Sequence, residues 1–591
     1  MEHFYTSERN AQIIIALLKE HGIKKVIASP GTTNICLVAS MQQDSFFEIY
    51  SAADERSAGY IACGMAAESG EAVVLSCTGA TASRNYMPAL TEAFYRKLPI
   101  LAITSSRRNY RIGHNFDQVT DRTQLPKDVA KLSVQVPIVY DKESEWADII
   151  AVNKAILELD HHGKGPVHIN LETNYSMDYS IKNILPVRMI KRISYGESFP
   201  LINEEKIIIM VGAHTRWNKK LVKLVENFCE EYNAIVLCDH ISNYKGKYRI
   251  FANLVSQQKY YNAILKRAGL MIHIGNITAS NYDVSVKNVW RVNPDGELRD
   301  TYGKLKFVFE MNEEYFFEHY CSDIKKINIS FYEKCKSEEL NVKKYLENTV
   351  EKLPFSNAWI ASQTTPILPD NAVIHFGIQN SLRFWNFFDI PKSVLGYCNT
   401  GGFGIDGNLS SMIGASLIDK NHIYFCVLGD LAFFYDMNSL GNKHISRNIR
   451  ILLINNGKGT EFKLSGNPGY LFGDAADKYI AAAGHYGNKS FSLVKHYAED
   501  LGFEYMCAVT KEEYLKIVDH FTDSGEMDRP IVLEVFTDSE DERNALDLIK
   551  SCIVDMKILK EKKSKEVVKT VLGKKNFDKI KKLLRSEVFN K

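Results

Sequence analysis

The chain has almost no net charge, no paired-cysteine motif and no long apolar run. Its 73 Lys and Arg against 71 Asp and Glu leave a formal charge of +2, so no global field favours nucleic acid or an anionic membrane, and neither is expected as a partner. Eleven cysteines are scattered without CxxC or Cys/His metal spacing, which argues against a disulfide framework or a zinc-finger site. Cys77, Cys238 and Cys426 sit inside apolar runs and read as buried free thiols, as in a reducing cytosol. No apolar stretch approaches the roughly 18 residues of a membrane span. Met1-Glu2-His3-Phe4 opens no signal peptide. The expectation is a cytoplasmic protein. The stretch from about 195 to 320 carries no GxGxxG fingerprint, so no dinucleotide is expected there and FAD is not expected as a cofactor.

What is present is a repeated alternation of strand, turn and helix. At 591 residues the chain is long enough for about three to four domains of roughly 150 residues. In the first third, strands are predicted at Lys25–Ala28, Glu48–Ala53, Ala72–Cys77 and Ile100–Thr104, with helices at Glu8–Glu20 and Ser57–Ser69. The pattern restarts near Val187, with strands at Lys206–Val211, Ala234–Cys238 and Leu270–Ile274. Such alternation predicts an α/β protein of three doubly wound parallel-sheet domains. The expected limits are 1–185, 195–320 and 354–551, with a charged helical linker over 321–353. Residues 552–591 carry thirteen Lys and Arg against five Asp and Glu, which predicts a basic helical C-terminal tail. That tail reads either as a solvated appendage or as a docking segment for a polyanion.

Two strand ends carry the chemistry. The apolar run Ile423–Leu428 closes with Gly429-Asp430-Leu431-Ala432, and the run Ile449–Ile454 closes with Asn455-Asn456-Gly457-Lys458-Gly459. A helix-sized segment lies between them. Ligands of open α/β sheets bind at the carboxyl edge of the strands, and oxygen ligands of this kind suit Mg²⁺ on a diphosphate. Taken singly, each motif reads equally as a helix cap or a polar turn. Near the amino terminus, Glu55 follows a strand and precedes a run of small residues (Ala58, Gly59, Ala62, Gly64). Its carboxyl is expected to be enclosed, and so to titrate high. The plainer alternative is a carboxylate complementing a helix start.

The pair of strand ends resembles the diphosphate–metal motif of thiamine-diphosphate enzymes, Gly-Asp-Gly followed after some 25 residues by Asn-Asn. The resemblance implies three domains in the order pyrimidine-binding, central and diphosphate-binding. It implies Asp430 and Asn456 as side-chain ligands of Mg²⁺ (with Mn²⁺ or Ca²⁺ as substitutes) and the Lys458 carbonyl as a third. Here Gly457-Lys458-Gly459 inserts a lysine, which leaves the carbonyl ligand open. Gly429, Leu431 and Ala432 would face the diphosphate at a helix start. Gly404 and Ile405, in Gly401–Gly407, fall where the family places the bulky residue that folds the coenzyme's rings together. Asn380 and Ser381 are candidates to donate to the diphosphate. Glu55 would share a proton with the aminopyrimidine nitrogen.

Within that superfamily the chain is most similar to the menaquinone-pathway carboligases, the 2-succinyl-5-enolpyruvyl-6-hydroxy-3-cyclohexene-1-carboxylate synthases. Shared stretches are Ser29-Pro30-Gly31, Asp54–Gly59, Cys77-Thr78-Gly79, Gly404-Ile405-Asp406-Gly407 and Gly429-Asp430-Leu431 leading to Tyr435–Asn438. Two departures concern substrate. The synthases follow Ser-Pro-Gly with serine and arginine where this chain has Thr32-Thr33, and they carry Asn-Arg-Gly where it has Asn399-Thr400-Gly401. Two guanidiniums of the kind that clamp carboxylates are therefore absent, which implies an acceptor less anionic or differently arranged. Thr33, Arg107, Arg108, Arg111, His114 and Gln118 are weaker candidates for substrate contact, with a solvated loop as the alternative. His161-His162 stand at a helix end rather than in the loop after the fourth strand, where decarboxylases place paired histidines. The resemblance implies a thiamine-diphosphate-dependent carboligase that decarboxylates a 2-oxo acid and transfers the acyl carbanion to an acceptor. A simple decarboxylase releasing an aldehyde is the alternative. It further implies a homodimer or homotetramer with sites built between chains.

Overall fold

Short apolar runs bounded by glycine and polar turns become strands buried on both faces, the composition that parallel sheets require. The computed structural model describes residues 4–214, 217–278, 280, 282–321, 327–485, 490–525 and 527–562. The strands fall into three sheets of six, seven and six strands. The chain divides into two compact units, residues 1–199 with 289–311 and residues 200–288 with 312–591.

The first unit holds β1 (Lys25–Ala28), β2 (Glu48–Ser51), β3 (Val73–Thr78), β4 (Ile100–Ser106), β5 (Ser133–Val136) and β6 (Val167–Glu172). They lie in the order β2-β1-β3-β4-β6-β5, and every pairing is parallel. Alternate residues of one strand enter different cores, as the two-residue period of a strand dictates. Val74, Leu101 and Ile103 pack with Ile13, Ile14 and Leu17, whereas Val73, Leu75 and Ala102 pack with Ala58, Ala62 and Tyr86. Helices thus cover both faces, and the sheet is doubly wound. The same unit contains β7 (Lys191–Ser194), β13 (Leu305–Glu310) and the part of β12 (Ser285–Val292) from Val289 onward, with β13 paired in parallel to both.

The second unit holds β8 (Ile207–Val211), β9 (Ala234–Cys238), β10 (Arg249–Phe251) and β11 (Arg267–Ile274), ordered β10-β9-β8-β11 and parallel. It also holds the third sheet: β14 (Val373–Phe376), β15 (Leu395–Cys398), β16 (Tyr424–Gly429), β17 (Ile449–Asn455), β18 (Glu504–Ala508) and β19 (Ile531–Phe536). Their order, β15-β14-β16-β17-β19-β18, repeats the topology of the first sheet strand for strand. The expected linker contains the Ser330–Val350 helix, which buries Phe331, Cys335, Val342 and Leu346 along one face. It is therefore a packed helix of its unit rather than a bare connector. Most of the expected basic tail, residues 563–591, lies outside the described residues.

Candidate functional site

Strands β16 and β17 are neighbours in register, with Gly429 opposite Ile454. Their ends therefore set Asp430 and Asn456 on adjoining strand tips at the carboxyl edge. Asp430 begins the Asp430–Asp436 helix and is only 5% exposed. One of its oxygens accepts from the Leu431 backbone N–H at 2.8 Å. Burial pushes the carboxyl up to about 7, against the pull of the Leu431 and Gly457 backbone N–H groups. A divalent cation here would restore the charged form.

Asn455 and Asn456 divide the work between them. Asn455 donates from Nδ2 to Glu534 Oε1 at 2.7 Å and accepts from the Gly457 N–H at 3.2 Å. Glu534 also accepts from the Tyr505 hydroxyl at 2.8 Å, so the first asparagine is a structural tie. Asn456 Oδ1, by contrast, is buried and has no hydrogen-bond partner among the described residues. A buried amide oxygen left unpaired is costly unless something else takes its lone pair. Gly457 turns the chain at φ +73°, a conformation that suits glycine. The Lys458 carbonyl accepts from the Thr460 N–H at 2.9 Å, and its ammonium pairs with Asp477 at 2.6 Å. A Cβ added at Gly429 would meet nothing within 4 Å, so the space before the β16 tip is open. A carboxylate, an unpaired amide oxygen and an open approach fit a hard cation carrying a diphosphate.

The supporting loops converge on the same edge. Asn408 donates to the Ile405 carbonyl at 2.7 Å, and Asn399 donates to the Gly407 carbonyl at 3.1 Å. Ile405 packs against the apolar core that includes Phe433 and Leu428. Asp436 accepts from the Ser410 N–H at 2.7 Å and hydroxyl at 2.5 Å, which binds the Asn408–Ile418 helix to the Asp430–Asp436 helix. Ser381 is buried, and its hydroxyl lies 3.3 Å from where a Gly377 Cβ would stand. The Asn380 amide oxygen is already taken by Arg383 at 3.0 Å, and Arg383 in turn grips Glu461.

At the edge of the first sheet, Glu55 opens the Glu55–Ser69 helix, which is capped by Asp54. Asn85 donates to Glu55 at 3.4 Å. In the single chain Glu55 is half-buried rather than enclosed, and its helix exposes Tyr60 and Ile61 at 49% and 48%. Thr33 is 1% exposed and spends its hydroxyl on Thr78 and on the Ser105 carbonyl at 2.6 Å. It stitches the β1 loop to the tips of β3 and β4 instead of facing solvent. Arg107 forms a two-pronged pair with Asp117 at 2.7 and 3.2 Å and donates to the Tyr175 hydroxyl. Arg108 donates to Asn174 at 2.8 Å, and Arg111 stacks over Phe116. His114 and Gln118 stand exposed in the same loop, Gln118 at φ +57°. Sequence reading missed Arg122, which is 1% exposed and donates to Thr104, the Thr120 carbonyl and Asn170. Burial pushes its guanidinium down to about 10. A Cβ at Gly79 would meet Arg122 Nη1 at 2.7 Å, so only the glycine of Cys77-Thr78-Gly79 admits it.

Residues 9–125 match the family described as thiamine pyrophosphate enzyme, N-terminal TPP binding domain. A 2-succinyl-5-enolpyruvyl-6-hydroxy-3-cyclohexene-1-carboxylate synthase from Phocaeicola vulgatus is 31% identical over 566 residues, covering 92% of this chain and 98% of its own length. The synthase from Bacteroides thetaiotaomicron is 30% identical over 572 residues, with the same coverage of 92% and 98%. This chain belongs to that synthase family. Membership makes the protein a thiamine-diphosphate-dependent enzyme of the carboligase type, on the three-sheet frame described above. Among the described residues, no helix is long and apolar enough to cross a membrane. Thr33 and Thr400, which stand at the two expected departures from the synthase pattern, are both buried.

Proposed function

We propose that the protein uses thiamine diphosphate and Mg²⁺ to remove CO₂ from a 2-oxo acid and to pass the remaining acyl unit to an acceptor. The observation that carries this reading is the buried Asn456 Oδ1, without a hydrogen-bond partner among the described residues, on the strand tip beside Asp430. Asp430 and Asn456 would hold the metal, with the Lys458 carbonyl as a further ligand. When bound, thiamine diphosphate supplies the nucleophilic carbon at which a 2-oxo acid loses CO₂. Ile405, held by Asn408, would wedge the coenzyme into its bent form. Glu55 would hold the proton shared with the ring nitrogen. Arg107 is fixed by Asp117 and Tyr175, and it would meet an anionic group of the donor or acceptor at the edge of the first sheet.

The exposed apolar face of the Glu55–Ser69 helix, Tyr60 and Ile61, together with Tyr95 at 66% exposure, needs a cover. A second copy of the chain supplies one, in a homodimer or a pair of dimers whose Glu55 and Asp430 come from different copies. All eleven cysteines are free thiols, as suits the reducing cytosol in which we place the enzyme.

Titrating the protein calorimetrically with thiamine diphosphate in Mg²⁺ buffer tests the first step, and absence of binding overturns the reading. A panel of 2-oxo acids, with and without candidate acceptors, then separates transfer from plain decarboxylation by product mass. Aldehyde release unchanged by every acceptor would favour the plain decarboxylase.

A further inference from the structure

The paired histidines do not belong to the coenzyme site, yet they are built into a site of their own. His161 and His162 follow the Lys142–Glu158 helix, with ring centroids 3.9 Å apart. Both turn Nε2 toward one atom, Oε1 of Glu310 at the end of β13, at 3.1 and 2.6 Å. Among the described residues this is the one group of three or more His, Cys, Asp or Glu side chains whose ligand atoms all lie within 4.8 Å of one another. The other Glu310 oxygen faces Arg192, at 4.0 Å, and the Ser194 hydroxyl, which leaves Oε1 for the histidines. Burial pushes the Glu310 carboxyl up, but its bonds to His161 and His162 outweigh that and leave it below the ordinary range.

Two further observations point to an ion rather than to hydrogen bonds alone. His161 Nδ1 lies 2.9 Å from Glu158 Oε2. A carboxylate behind the remote nitrogen fixes the tautomer and turns the Nε2 lone pair outward, the usual support of a metal-bound histidine. The loop that carries the histidines is also held rigid. Lys131 donates to the carbonyls of Glu158 at 3.0 Å and Gly163 at 2.8 Å, and to that of His161. The His162 side chain is 73% exposed, which gives an ion a way in and lets the ring swing to the ~3.4 Å ligand spacing set by tetrahedral bonds of ~2.1 Å.

We propose that His161, His162 and Glu310 form a zinc site, which staples the end of the Lys142–Glu158 helix to the end of β13 and leaves its fourth position to water. Two imidazoles and one carboxylate suit Zn²⁺ and not the all-oxygen preference of Mg²⁺. The site is therefore separate from the cofactor metal in both place and chemistry.

The test uses the full-length protein, stripped by chelator and then saturated with Mg²⁺ and thiamine diphosphate. Calorimetric titration with Zn²⁺ is expected to show one equivalent per chain, and Co²⁺ to give the intense visible bands of a four-coordinate ion. His161→Gln/His162→Gln should lower Zn²⁺ affinity at least 100-fold and abolish those bands, while coenzyme binding and circular dichroism stay as in the parent. Glu158→Gln removes no ligand and should weaken Zn²⁺ about 10–100-fold, which keeps the proposal testable should the double variant fail to fold. No uptake by the parent protein, or equal uptake by parent and variants, overturns it and leaves a hydrogen-bonded acid–histidine cluster only.

Discussion

The first and third sheets share one strand order, 2-1-3-4-6-5 counted within each, yet they finish their carboxyl edges differently. At the third sheet the tip is complete within the chain. Asp430 is buried, Asn455 is tied to Glu534, and Asn456 Oδ1 has no hydrogen-bond partner among the described residues. At the first sheet the tip is stitched shut around Thr33, Thr78 and Arg122, while Glu55 stands beside it half-exposed next to bare Tyr60 and Ile61. One topology thus supports a buried carboxyl beside a buried amide oxygen at one edge and a half-exposed acid at the other. The difference teaches that a duplicated frame specifies where loops converge, while the loop residues decide whether the edge closes alone or needs a further surface.

The largest effect is expected where the unfinished edge is altered. Glu55→Gln should lower turnover by about 10²–10⁴-fold, the range for a lost proton-transfer group, and leave coenzyme affinity unchanged by calorimetry. Near-normal turnover would break the comparison, because Glu55 would then be an ordinary helix-start carboxylate. Asp430→Ala acts on the finished edge. It should weaken Mg²⁺-dependent coenzyme binding by about 100-fold, with turnover recovering at high coenzyme. Unaltered affinity would sink the cradle.

Much of this contrast is legible in the sequence. The strands Lys25–Ala28 and Ala234–Cys238 stand at the positions their apolar runs predict, and the third-sheet tips differ from expectation by a residue. The short strands β5, β7, β10 and β18 escaped notice, because three to five residues with mixed burial carry little periodicity. Strand β6 is fully buried, but it interleaves His168, Asn170 and Glu172 with its apolar residues and so does not look like a strand. At the candidate site, Asp430 and Asn456 stand out in the sequence because both lie at strand ends. The structural role of Asn455 has no signal in the sequence, since only the fold shows that its amide meets Glu534. The enclosure expected for Glu55 rested on small residues that instead pack inward, with Ala58 and Ala62 fully buried. The meeting of His161, His162 and Glu310 spans about 150 positions and leaves no local trace.

A sharper test of the contrast combines the two damaged edges. If each complete site draws Glu55 from one copy and Asp430 from the other, a hybrid of Glu55→Gln and Asp430→Ala chains contains one intact site and one doubly altered site. Random reassortment of dimers should then restore about a quarter of parental activity. No recovery after verified subunit exchange would mean that both residues serve within one chain, and that the apolar face around Tyr60 and Ile61 has another occupant.

The smallest expected effect concerns stability, and it again sets the two regions side by side, since each buries a carboxyl away from its edge. In the first, Asp148 is 1% exposed and neither oxygen has a partner among the described residues. Burial, with Glu172 adding repulsion, pushes it up to about 8. In the other, Glu542 is pushed up to about 7 by burial, but it accepts from the Asn357 N–H at 3.0 and 3.1 Å and from the Thr537 hydroxyl at 2.8 Å. A carboxyl whose folded pKa lies above its unfolded value of about 3.9 keeps its proton longer in the folded state, so stability falls as pH rises between the two values and levels off above the higher one. Asp148→Asn cannot ionise. It should therefore match the parent near pH 4 and exceed it by about 2–4 °C in Tm at pH 8, read at a fixed scan rate because unfolding of so large a chain is scan-dependent. Glu542→Gln should do the opposite, because its amide NH₂ would face the Asn357 N–H and cost a satisfied bond. Equal shifts in the two variants would mean that burial alone, and not the presence or absence of partners, governs how these two carboxyls affect stability.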